Sequence, residues 1–277
     1  MQIRKLLRRY RGGIDFNNTY NEYYHLGQHF KLNLHLPECN PPKPPRNKIV
    51  NYPIEEEGWF ERNNKQRAHL RYIPLHEAYW YFMPIIPTPF RGEQGDLRLN
   101  ISIAKLAFPA SSADKLGKAL LDEYNNYYNS PVIGDYSLGS NTRIIQEVEE
   151  HSARRATPFT EEEKQEQINK IMINRGYFEI SHFDKFTFNN VEWVRYAEIK
   201  PRVRTHNKKY FFATLLENGF YLLCKFTLTT NLSYDSKPWY KDADASIIPI
   251  MHGISLQRIA SIDDQDNLLT APSVRHS

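Results

Sequence analysis

Cysteine is nearly absent from this sequence, at two residues in 277, so a disulfide framework is excluded as the source of its stability. Cys39 and Cys224 could form one bridge at most, and neither has a Cys or His partner at zinc-finger spacing. Glycine is scarce as well, at 12 residues, and no Gly-x-Gly-x-x-Gly or Walker pattern occurs, which removes the loops that cradle phosphates. The nearest approach to a nucleophile elbow, Gly134-Asp135-Tyr136-Ser137-Leu138-Gly139, misplaces its first glycine by one residue. Long apolar runs are missing too. Phe220 to Cys224 and Tyr79 to Ile86 fall far short of the roughly 18 residues that a bilayer span needs, so no membrane span is expected.

Negative charge is absent from the first eleven residues, where Arg4, Lys5, Arg8, Arg9 and Arg11 cluster. The whole chain carries a formal net charge of +4, so the remainder is close to neutral. That distribution reads as a solvated basic arm, and no specific nucleic-acid partner is expected. The arm lacks the apolar core of a secretory signal. The expected compartment is therefore the cytoplasm, or the periplasm if a leader has been removed.

What is present is a 40% hydrophobic, 25% charged composition with 18 Tyr and 15 Phe, long enough to bury roughly 70–75% of its unfolded surface. Phe30, Leu32, Leu34 and Leu36 alternate with polar residues, the period of a half-buried strand, and Leu97, Leu99, Ile101 and Ile103 do the same. Tyr79 to Met83 reads as one short buried strand before Pro84, Pro87 and Pro89. Pro41-Pro42-Lys43-Pro44-Pro45 reads as an extended surface spacer. Ser111 or Ser112 caps a helix with the stripe Leu116, Leu120, Tyr124 and Tyr127/Tyr128, ending before Pro131. A second helix is expected over 142–155. A third follows the capping box of Thr160 and Glu163, with Gln165, Ile168, Ile171 and Met172 as its narrow stripe and Gly176 as its stop.

The second half reads as hairpins. Phe186-Thr187-Phe188, Asn189-Asn190 and Val191 to Tyr196 form one. Tyr210 to Glu217, Asn218-Gly219 and Phe220 to Leu228 form a stronger one, because Asn-Gly accepts the two positive φ values of a type I′ turn. Both faces of the Phe220 to Leu228 strand are apolar near the turn, as in a central strand. Ile247 to Ile259 gives a last strand or pair of strands around Gly253, and Asp263 to Ser277 a polar tail. The expected fold is α+β, with two domains of mainly antiparallel sheet packed with amphipathic helices. They divide as an N-terminal domain over 1–140, a helical connector over 141–176 and a hairpin-rich C-terminal domain over 177–277.

No catalytic or metal constellation assembles from spacing. His25 and His29 lie four residues apart, but the glutamate of a metalloprotease motif is missing and Gly27 weakens a helix there. Asp263-Asp264-Gln265-Asp266-Asn267 lacks the glycine and terminal glutamate of a calcium loop. No cofactor and no metal are expected. Glu55, Glu56, Glu57, Glu77, Glu192 and Glu198 could converge in space, but spacing selects no pair. Glu55-Glu56-Glu57 beside Gly58-Trp59-Phe60 reads as an exposed loop with an aromatic anchor. Aromatic and arginine anchors carry most of the energy of a protein interface, which makes Trp59, Trp193, Arg195, Tyr196, Arg202, Arg204, Trp239 and Tyr240 the candidate partner-binding residues.

Within 177–259 the order of features resembles immunity proteins of bacterial type VI secretion effector–immunity pairs. Those features are Val191-Glu192-Trp193-Val194-Arg195, a basic segment, Tyr210 to Leu215 with the Asn-Gly turn into Tyr221-Leu222-Leu223, then Trp239 and a closing Ile254 to Ile259. The resemblance implies a non-catalytic inhibitor that binds a cognate protein toxin and occludes its active site. The alternatives are a hydrolase with an acidic and histidine site between the two domains, and a mobile-element protein whose basic arm touches nucleic acid.

Overall fold

The computed structural model describes residues 10–42, 49–86, 94–131, 139–201, 206–230 and 238–259. Arg202, Arg204, most of the basic arm, most of the proline-rich segment and the acidic tail lie outside them. The fold is α+β, built on two sheets. The larger sheet is antiparallel throughout and runs, in spatial order, β1 (Tyr10–Gly12), β6 (Leu70–Pro84), β7 (Gly95–Lys105), β11 (Phe220–Thr230), β10 (His206–Leu215), β9 (Val191–Pro201) and β8 (Asp184–Phe188). A short β5 (Lys65–Arg67) pairs with the start of β6. The smaller sheet runs β12 (Ile254–Arg258), β3 (Phe30–Pro37), β2 (Thr19–Leu26) and β4 (Val50–Tyr52), the last pairing parallel to β2.

Strand alternation sorts side chains onto two faces. On the inner face of the large sheet, Trp80, Phe82, Leu97, Leu99, Ile101, Leu222, Cys224, Phe226 and Trp193 share one core with Tyr24, Leu32, Leu34 and Leu36 of the small sheet. The short helices α5 (Pro238–Ala245) and α6 (Ile247–His252) close the same core with Trp239, Tyr240, Ile250 and Met251. The outer face carries a second core. There Val194, Tyr196, Phe211, Ala213, Tyr221 and Leu223 receive Leu116, Leu120 and Leu121 of α2 (Ala113–Asn129). Each fully buried side chain of this size contributes about 2–3 kcal/mol.

The Ser112 hydroxyl caps α2 by accepting from the Lys115 amide at 3.3 Å. Helix α3 (Ser140–Ala153) packs on α2, and α4 (Glu161–Arg175) packs on α3 and touches β9. The Thr160–Glu163 capping box starts α4, which leaves none of its side chains fully buried. A five-residue helix, α1 (Trp59–Asn63), stands between β4 and β5. Among the described residues no helix is long and apolar enough to cross a membrane.

Three expectations are revised. β7 and β11 pair along their whole length, so strands from either side of 141–176 belong to one sheet and one pair of cores. A division at a helical connector gives way to helices laid on the outer face, where Leu116, Leu120 and Leu121 of α2 pack with residues from both halves of the chain, Leu70 and Ala104 with Val194 and Tyr221. The strand seen as Tyr79 to Met83 is a 15-residue β6, whose first half hides behind Pro74, His76 and Glu77 and contains a bulge between Pro74 and His76. Pro74 is tolerated there because β6 has no strand on its other side between the residues paired to β5 and those paired to β1. Finally, Ile247 to His252 is helical, burying Ile247, Ile250 and Met251 at the three- and four-residue spacing of a helix face, and only Ile254 to Arg258 is a strand.

Candidate functional site

Helix α2 covers only part of the outer face, and the sequence of each strand fixes where its cover stops. Along β11 the outward positions are Tyr221 and Leu223, then Lys225, Thr227 and Thr229; along β10 they pass from Phe211 to Lys209. Register sets these changes side by side. Glu77, Asn100, Lys225 and Phe211 form one row across four strands, and Tyr79, Arg98, Thr227, Lys209 and Glu198 form the next row across five. Beyond the end of α2 the face is therefore polar and open. The hairpin of β5 and β6 overhangs it, with Ala68 at a φ of 52° in the turn between Arg67 and His69.

The resulting recess encloses about 480 Å³ and is lined by Lys65, Arg67, His69, Lys209 and Lys225, with the carboxylates of Glu77 and Glu198 and the walls Tyr52, Tyr72, Tyr128 and Phe211. Lys209 donates to Glu198 at 2.6 Å, and Glu198 is 5% exposed. The Lys225 side chain, unlike its sheet-paired backbone, makes no hydrogen bond or ion pair with any described residue. Burial, reinforced by Lys209 and Arg67, lowers its ammonium to a pKa of about 8. His69 stands edge-on to Tyr124, with ring centroids 5.1 Å apart, and lies 5.9 Å from Tyr128. Neither of its ring nitrogens has a hydrogen-bond partner. Burial, then the charges of Lys209 and Lys225, hold its pKa near 4, so the imidazole is neutral at pH 7. Tyr128 stacks on Tyr177 at 3.6 Å. Burial, with Glu198 nearby, pushes the phenols of Tyr124 and Tyr128 up.

A second polar cluster lies at the seam between the sheets. His76 Nδ1 is 3.0 Å from Glu22 Oε2, Tyr20 Oη is 2.9 Å from His76 Nε2, and the Tyr24 hydroxyl donates to Glu22. Glu22 and His76 are both buried, and each side chain finds a partner within the group. Buried polar groups are kept inside a protein by such mutual hydrogen bonding.

The anchors proposed from sequence fare differently. Trp193, Tyr196, Trp239 and Tyr240 are 0, 2, 1 and 1% exposed, so they cannot face a partner; they fill the two cores. Aromatic mass that marks an interface also marks a buried core, and β9 and α5 place theirs there. Trp59 is half-buried and sits edge-to-face with Tyr52 at 6.2 Å, anchoring the exposed Glu55–Glu57 loop. Arg195 is paired to Asp184 at 3.1 Å and lies over the Phe186 ring at 4.8 Å, which leaves it committed within the sheet. Of the carboxylates that could converge, Glu77 and Glu198 line the same recess, but β7, β11 and β10 lie between their strands and they form no pair. Cys39 and Cys224 are both buried free thiols. Among the described residues no three His, Cys, Asp or Glu side chains gather as a metal site. No family model, curated protein or solved structure matches this chain. The recess is thus read from its own chemistry. Its one signal in the sequence is Lys225, a lysine in an otherwise apolar central strand.

Proposed function

We propose that this chain is a non-catalytic, protein-binding inhibitor of the immunity type, which neutralises a cognate toxin by engaging an acidic segment of it in the basic recess. The observation that carries this reading is the charge balance of the concavity. Four cationic side chains line it against two carboxylates, and one of those carboxylates is already held by Lys209. Uncompensated cations on a rigid concave surface favour a complementary acidic protrusion, steering its approach and fixing its register. The long antiparallel sheet beneath, backed by the inner core, gives that surface its rigidity. An interface of this kind buries about 1,200 Å² or more.

Calorimetry of the purified chain with the product of the toxin gene adjacent to its own tests the reading. A 1:1 complex is expected. The double charge reversal Arg67→Glu with Lys225→Glu is expected to weaken it at least 100-fold and to abolish protection of cells expressing the toxin. Absence of a complex, or full affinity in the reversed variant, would overturn the reading.

A further inference from the structure

We propose that the recess is a ligand site for a small, multiply charged oxyanion, a polycarboxylate or a phosphate monoester, seated on Lys225. The inference deepens the reading above by naming the chemistry of the group that enters, and rests on it only for what carries that group.

Three independent features of the recess point the same way. First, its free charges are placed at two depths. Lys225 rises from the middle of the sheet, in register with Asn100 of β7, while Arg67 stands at the exposed rim on β5. Neither forms an ion pair with a described residue, whereas Lys209 beside them is occupied by Glu198. An ammonium that is partly buried and left unpaired carries a desolvation cost, and a bound anion offsets it.

Second, neutral hydrogen-bonding groups converge with the cations. Asn100 and Ser102 point to the same outer face of β7 as Lys225 does on β11, since Ser102 pairs with Leu223 and Asn100 with Lys225. Neither side chain makes a hydrogen bond to a described residue. His69, neutral and without partners, stands over the same space. Oxyanions are held by this mixture: a point charge at the floor, a planar guanidinium at the mouth and uncharged donors between. Third, 480 Å³ lies within the usual range for a small-molecule pocket, about 300–1,000 Å³, and the walls are aromatic where the cations are not. A ligand with an anionic end and a short carbon frame matches both parts. A purely apolar one would leave Lys225 without a partner.

The charged groups facing Lys225 are Lys209, Arg67 and Glu198, with Glu77 in its own row. The two cations lower its proton affinity, and a bound anion restores it. Anion affinity is therefore expected to fall as the pH rises from 7 to 9, as Lys225 loses the proton that makes the contact.

Thermal unfolding and calorimetry of the full chain with inorganic phosphate and with citrate, each against potassium chloride at the same ionic strength, provide the test. At pH 7 both anions are expected to raise the unfolding temperature saturably, and chloride is not. Lys225→Met is expected to unfold at a higher temperature than the parent without ligand, having lost an unpaired, partly buried charge, and to bind either anion at least tenfold more weakly. Arg67→Gln, at the exposed rim, is expected to weaken binding severalfold without touching the core, and Lys118→Gln, on the exposed side of α2, to bind as the parent does. No saturable shift in the parent, or an equal shift in Lys225→Met, would overturn the proposal. A second arm separates the source of the group. Phosphate that competes with the toxin places a carboxylate of the toxin in the same seat. Anion binding that persists where no toxin complex forms sustains the seat and removes the inhibitor reading instead.

Discussion

A buried imidazole without a hydrogen-bond partner is a debit that the rest of the molecule carries, and His69 makes it measurable. Its folded pKa lies near 4 against an unfolded value of 6.5. Above pH 6.5 both states are neutral and His69 costs nothing through its charge. As the pH falls from 6.5 towards 4 the unfolded chain takes up a proton that the folded one refuses, so stability declines. His69→Phe keeps a ring against Tyr124 and Tyr128 and removes the titration. Urea unfolding at pH 7 and pH 4 is expected to show the parent losing roughly 3 kcal/mol more than the variant over that interval. Equal losses would mean that the imidazole is reached by water. This residue was invisible as a functional one in the sequence, because nothing near it in the chain reveals that β10 and β11 bring Lys209 and Lys225 beside it. Lys225 was half visible, as a charge in an apolar strand, although the strands that make it part of a recess come from positions over a hundred residues earlier.

The strand hairpins were the most legible elements, because their turns depend on local chemistry alone. Asn218 and Gly219 have φ values of 58° and 78°, and Asn189 and Asn190 have 51° and 63°, the left-handed pairs that a two-residue turn requires. A Cβ on Gly219 would meet only Pro109, at 3.5 Å, so the cost of adding one is conformational rather than steric. Gly219→Ala is expected to lose about 1–2 kcal/mol in denaturant unfolding, with no change in the chemistry of the recess. A loss under a few tenths would show that the turn relaxes. β6 was less legible because an edge strand can carry proline, histidine and glutamate without breaking, so its alternation is blurred. The helix Ile247–His252 departs from the expected strand for a related reason. Six apolar-rich residues fit a short strand or a short helix equally, and the burial of Ile247, Ile250 and Met251 against the inner core decides for the helix. The anchors failed on composition: Trp193 and Tyr196 lie on opposite faces of a single strand, and both faces are covered.

Across the whole molecule, the phenols form the largest set of perturbed groups. Burial raises the pKa of Tyr20, Tyr124, Tyr128, Tyr196, Tyr210 and Tyr221. Because each folded value exceeds the unfolded one of about 10, their contribution is complete below pH 10 and is lost as the pH climbs beyond it. Absorbance at the tyrosinate band is expected to include a steep step above pH 10, owed to these six of the 18 phenols, that coincides with loss of circular dichroism. Ionisation of all 18 phenols with the fold intact would mean that these rings are solvated. The same unity follows from the pairing of β7 with β11, which ties residues near 100 to residues near 225 at the centre of the large sheet. During synthesis on the ribosome β7 therefore waits, with its apolar face open, until more than a hundred further residues have emerged. For that interval the nascent chain has no finished edge to close against and depends on whatever shields it in the cell.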